Sequence, residues 1–193
     1  MMSKLSALFP LLNSRTHEVC GANALSFAFA LAGQNGGAVM WISESWQGRQ
    51  INPMGFSDYM DPRNLLLSKV PDQIDGLGVA EETLRSGAVS LMVIELTKPL
   101  SFTAGRRLQL AAETGHSTGL CLISEGMGNN AAQTRWRCSS LFDPEDSTLQ
   151  RWEIIKNKSG TLSAWDVRWN AETRRINVVS EAAQREGSAR TLR

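Results

Sequence analysis

The sequence predicts an α/β fold in three layers: a mostly parallel central sheet between helices, continued by antiparallel strands at its C-terminal end. Three observations predict it. Short apolar runs alternate with helical stretches as far as residue 124, which is the pattern of strands joined by crossover helices. The run Val89–Leu96 (VSLMVIEL) is almost continuously apolar, as a strand covered on both faces must be. From Gln133 onward the pattern changes to polar–apolar alternation, which suits an antiparallel meander with one wet face.

The elements follow in order. Residues 22–34 (ANALSFAFALAGQ) predict a buried helix, closed by Asn35-Gly36-Gly37. Ala38–Ser43 is a strand, 52–62 holds a short helix, and Asn64–Lys69 is a second strand. Over 72–86 the period is helical: Asp72 can cap the first turn, Ile74, Leu77, Ala80 and Leu84 share a face, and Gly87 ends the helix. Residues 102–115 predict another helix stopped by Gly115, and Gly119–Ser124 a further central strand. Gln133–Leu141, Leu149–Asn157, Ala164–Trp169 and Arg174–Val179 are the meander, with a turn at 170–173 between the last two. This divides the chain into an N-terminal extension (1–15), one domain (16–180) and a polar, disordered tail (181–193).

Composition limits the function. The 193 residues are 42% hydrophobic and 20% charged, with a net charge of +1, so overall charge gives no reason to expect a nucleic-acid binder. Residues 1–134 carry 9 Lys/Arg against 11 Asp/Glu and residues 135–193 carry 11 against 8, a shift from −2 to +3 that makes the last third mildly basic. Cys20, Cys121 and Cys138 lie in or beside apolar runs without CxxC spacing, which favours a reducing compartment and argues against a zinc site. The N-terminus lacks a signal-peptide pattern, and no run approaches the roughly 18 apolar residues of a membrane span. The expectation is a cytoplasmic protein without a membrane partner.

Residues 61–95, with the "NLL" strand start and the "RSGAV" helix end, resemble the central part of the RecA recombinase core; Glu153–Gly160 (EIIKNKSG) is similar to another RecA segment. A narrower resemblance is to the ImuA family, RecA-related accessory proteins of bacterial SOS mutagenesis. It is carried by His17-Glu18-Val19, Val39-Met40-Trp41-Ile42, the RRLQLAAE stretch Arg106–Glu113, and Thr134-Arg135-Trp136-Arg137, and spans roughly residues 16–178. The resemblance implies a RecA-like domain and, as partners, a polymerase-like protein of the mutagenesis complex, RecA, and weakly DNA. It extends to SulA, a cell-division inhibitor, which supplies an alternative role.

A phosphate loop needs glycines, so that backbone N–H groups face the phosphates, a lysine for the β/γ charge and a Ser/Thr for magnesium. The corresponding stretch, His17 to Ser26, has Gly21 alone and no lysine, and Glu18 would set a negative charge near a triphosphate. Gly21, Ser26, Glu44 and Glu95 are therefore expected as a vestigial nucleotide site, with Glu95 at the position the RecA resemblance gives to the Walker B acid. No cofactor, metal or catalytic residue is expected. A divergent RecA-like ATPase using Glu44 and Glu95 is the enzymatic alternative. His17, a strand-end residue, and His116, in a loop, have no metal-ligand spacing.

The partner- or DNA-binding candidates are Arg106, Arg107, Arg135, Arg137, Lys156 and Lys158. Arg135 and Arg137 share the face opposite Trp136; Trp152, Ile154 and Lys156 share a face, as do Trp165, Val167 and Trp169. Basic residues interleaved with aromatics can hold a single strand by charge and stacking. The competing expectation is that the tryptophans close the core. Gly126, Gly128, Asn129 and Asn130 make the loop 125–133 flexible.

Overall fold

The computed structural model describes residues 4–160 and 162–182. One sheet organises them, in the order β3-β2-β4-β5-β1-β6-β7-β8-β9. The strands are β1 (Thr16–Cys20), β2 (Val39–Glu44), β3 (Leu65–Val70), β4 (Leu91–Glu95), β5 (Thr118–Leu122), β6 (Thr134–Ser140), β7 (Gln150–Asn157), β8 (Ala164–Asn170) and β9 (Arg175–Ala182). The helices are α1 (Ala24–Asn35), α2 (Pro53–Phe56), α3 (Gln73–Ser86) and α4 (Phe102–Gly115). Pairing is parallel from β3 to β6 and antiparallel from β6 to β9. β6 is the first strand of the expected meander, antiparallel to β7, and on its other side it also pairs parallel with β1.

The two faces carry separate cores. On one, Phe27 and Leu31 of α1 pack against Val19, Trp41, Trp136, Trp152 and Trp165. Leu5, Phe9 and Leu11 join this core, so the segment set apart as an extension packs with the domain. On the other face, Ala80 and Leu84 of α3 and Leu108, Ala111 and Ala112 of α4 cover Ile42, Met92, Ile94 and Cys121. Among the described residues, no helix is long and apolar enough to cross a membrane.

Local chemistry explains the boundaries. Asp72 caps α3 by accepting from the N–H groups of Ile74 and Asp75, and Gly87 ends it in the left-handed region. The face of α3 that meets the sheet is Gly76, Ala80 and Leu84, whereas Ile74 is 80% exposed. Gly76 lets the helix sit so close that a Cβ there would be 3.3 Å from Val70, which turns Ile74 outward. α4 ends at Gly115 as expected, but the left-handed cap residue is His116; Gly115 is glycine because an added Cβ would meet the Leu84 carbonyl of α3 at 1.9 Å. The tail from Glu181 begins as the end of β9; residues 183–193 lie outside the described residues.

Candidate functional site: the strand-end cleft and the charged surfaces

The carboxyl ends of β1, β4 and β5 open into a cleft of about 380 Å3 lined by Gly21, Leu25, Gln47, Arg49, Glu95 and Thr97 among others. In an open α/β sheet this is the edge where ligands are bound. Here the turn from β1 to α1 is only Gly21-Ala22-Asn23. Gly21 has φ +96°, and a Cβ on it would lie 2.3 Å from the Cys138 carbonyl oxygen. Asn23 N–H donates to that same oxygen at 3.1 Å, Ala24 N–H donates back to Gly21 at 3.2 Å, and Ser140 Oγ bonds Asn23 Oδ1 at 2.7 Å. The turn is thus fastened to β6, with the N–H groups of Asn23 and of Ala24, the first residue of α1, turned to protein carbonyls.

The two acids of the expected vestigial site are engaged with neighbouring side chains. Glu95 accepts from the Trp41 indole Nε1–H at 2.7 Å and from Arg49 at 3.0 Å. A guanidinium therefore occupies the mouth of the cleft beside the carboxylate. Glu44, 5% exposed, accepts from Thr97 Oγ1 at 2.6 Å. Ser26 is turned to the Tyr59 hydroxyl, which burial pushes above the ordinary tyrosine range, and lines a neighbouring hollow rather than the cleft. The structure brings Gly21 and Glu95 into one cavity and leaves Ser26 and Glu44 outside its lining.

Glu18 lies on the α4 side of β1, not beside the β1–α1 turn. It is 2% exposed and accepts from Asn129 N–H at 2.7 Å and from Arg135 Nε at 2.8 Å. Asn129 in turn donates to the carbonyls of Leu100 and Ser101 and accepts from Ala131 N–H. Lys156 Nζ donates to the carbonyls of Asn129, Asn130 and Ala132, and Lys158 Nζ to that of Ala131. Burial lowers the Lys156 ammonium from its ordinary pKa. The loop 125–133, expected to be flexible, is clamped at its second half by two lysines and a buried acid. His17, the second residue of β1, is 1% exposed, with Nε2 on the Leu12 carbonyl at 2.9 Å and Nδ1 on Thr134 Oγ1 at 2.7 Å. Burial pushes its imidazole down to about 4.

The basic candidates separate into committed and open side chains. Arg135, Lys156 and Lys158 are internal struts. Lys156 does not share the Trp152–Ile154 face: a bulge opposite Arg135 and Trp136 pairs it with Arg135. Arg137 faces Glu125 at 3.5 Å and Glu153 at 4.0 Å, and its neighbours Arg151 and Arg168 pair with Asp166 and with Asp143 and Asp146. Trp136, Trp152 and Trp165 are at most 1% exposed, so no stacking platform faces solvent there. Trp169 stacks on Tyr59 with ring centroids 4.7 Å apart. Arg107 bridges to Glu81 of α3 at 2.6 Å. Arg106 is exposed on α4 and has no acid within reach among the described residues, and exposed Phe102 and Leu110 sit one turn before and after it.

Sequence reasoning missed Arg49 and the roles of His17 and Glu18. Arg49 sits in a Gly- and polar-rich connection with no periodicity to mark it, and the partners of Glu18 lie more than a hundred residues away in sequence.

No protein-family model matches the chain. The chain is similar to Protein ImuA of Caulobacter vibrioides, in strain NA1000 / CB15N and in strain ATCC 19089 / CIP 103742 / CB 15. In each case 27% of residues are identical over 175 residues, covering 82% of this chain and 68% of the relative.

Proposed function

We propose that this chain is a non-catalytic accessory protein of SOS-induced error-prone DNA synthesis, working through contacts with a polymerase-like protein of the mutagenesis complex. The similarity to Protein ImuA carries the biological role. The geometry supports the non-catalytic part through one observation: Arg49 and Trp41 hold both oxygens of Glu95, at the mouth of a cleft whose β1–α1 turn offers no lysine. Phosphoryl transfer needs its cations to meet the phosphates and its acid to meet the metal. Here the cation meets the acid, so each cancels the other.

The contact surface on this reading is the outer side of α4, where Arg106 lies between Phe102 and Leu110. An exposed arginine flanked by apolar side chains has the composition of an interface anchor. The test joins two measurements on the purified chain. Pull-down of the host's SOS-induced polymerase-like protein is expected to succeed and to fall about tenfold or more with Arg106→Glu, with the melting temperature unchanged. Titration with ATP and magnesium is expected to give a flat isotherm to millimolar concentration. Saturable ATP binding with turnover that Glu95→Gln abolishes would refute the non-catalytic reading.

A further inference from the structure

A second cavity lies on the opposite face from α4. It measures about 570 Å3 and is enclosed by the N-terminal segment, the last turn of α1 at Gly33 and Gln34, and the β8–β9 hairpin. Its floor is apolar, formed by Leu5, Phe9, Ile176 and Val178, and its rim holds Arg174 and Arg175. No carboxylate lines it. Like Arg106 on α4, the two rim arginines lack the bonded acid that the other arginines of the described residues have. Among the described residues, Arg15, Arg49, Arg63, Arg85, Arg107, Arg135, Arg137, Arg151 and Arg168 each face an acid. Arg175 has no ion-pair partner among the described residues, and Arg174, whose charge is felt by the Asp61 carboxylate, reaches the Ser57 carbonyl at 3.4 Å, beyond the usual hydrogen-bond range.

Arg174 also has φ +51°, in the left-handed region where a hairpin normally places glycine. A bulky residue held there at a cost points to use of its side chain. We infer that this cavity is a docking site for an extended peptide segment of a protein partner, bearing a carboxylate beside a large apolar side chain. The apolar side chain fills the floor, the carboxylate takes both guanidiniums, and the terminal carbonyls of α1, which lack intrahelical donors, accept peptide N–H groups. A nucleic acid suits the site poorly. Two cations are no track for a phosphate backbone, and Phe9, 5% exposed, offers no face for a base. The site stands apart from the α4 surface, so a chain carrying both can bridge two partners.

The experiment uses two fluorescein-labelled octapeptides, one alternating Asp/Glu with Leu/Phe and one with lysine in place of the acids. Each is titrated into the full chain by fluorescence anisotropy. The acidic peptide is expected to bind saturably and the lysine peptide not at all. Arg175→Glu should weaken binding at least about tenfold. Arg174→Gly should also weaken it while raising the melting temperature by roughly 2–4 °C, because the backbone conformation is relieved as the charge is lost. Amide shifts on adding peptide should centre on Gln34, Arg175 and Ile176. Equal affinity for both peptides, no saturation to millimolar concentration, or indifference to Arg175→Glu overturns the proposal. So does an oligo-dT that binds through Arg174 and Arg175 in the peptide's stead.

Discussion

Arg135 Nε meets Glu18 Oε2 at 2.8 Å, joining two parallel strands in the middle of the sheet with side chains 20% and 3% exposed. Residues of this kind read as surface chemistry in a sequence, and here they are internal structure. Removing one partner of such a pair leaves the other charged and dry. Arg135→Met is expected to cost about 3–5 kcal/mol, and the double variant Glu18→Gln, Arg135→Met less than Arg135→Met alone. Urea denaturation of the four proteins checks this.

His17 makes stability depend on pH in a defined window. Its folded pKa is about 4 against the ordinary histidine value of 6.5, so between those limits the unfolded chain binds a proton that the native chain refuses. Stability contributed by the neutral imidazole is therefore complete above pH 6.5 and lost as the pH falls toward 4, to a total on the order of 3 kcal/mol. Urea midpoints measured at pH 7, 5.5 and 4.5 are expected to fall for the native sequence and to fall less steeply for His17→Gln.

The Arg49–Glu95 contact is asymmetric, because the arginine side chain is 62% exposed and the acid 12%. Arg49→Ala is expected to change stability by less than about 1 kcal/mol. Glu95→Ala is expected to cost about 1–3 kcal/mol, since the indole N–H of buried Trp41 loses its acceptor. Thermal or urea unfolding of both variants tests the order, and an equal effect would contradict it.

Two glycines on the paired helices should respond in opposite directions. Gly115→Ala drives a methyl into the Leu84 carbonyl and is expected to destabilise by about 2 kcal/mol or more. Gly78, on the exposed side of α3, has open space where its Cβ would be, so Gly78→Ala is expected to stabilise by about 0.5–1 kcal/mol. Melting temperatures read both.

Much of this architecture is legible in single residues. Asp72 and Gly87 mark α3 to within a residue, and the apolar run Val89–Leu96 contains β4, Leu91–Glu95. β1 escapes the same reasoning. Thr-His-Glu-Val-Cys looks polar, yet all five residues are buried, because Gln109, Asn129, Thr134 and Arg135 arrive from elsewhere to satisfy them. Ile74 misleads for a different reason: hydropathy counts the isoleucine and ignores Gly76, whose missing side chain decides which face approaches the sheet. The candidate site divides the same way. Positions at strand ends are readable from the α/β pattern, whereas the pairing state of each cation depends on acids brought together only by folding.

The place of β1 in the sheet has a consequence for synthesis. Its neighbours are β5 and β6, so Thr16 waits for Gly119 and Glu18 for Arg135. At about 5–20 residues per second, a ribosome exposes this central strand for several seconds before either flank exists. Such long-range parallel pairing also closes slowly once the chain is free. Nascent chains should therefore depend on a holding chaperone until residue 140 has left the exit tunnel, and truncations ending before β6 should be cleared by proteolysis.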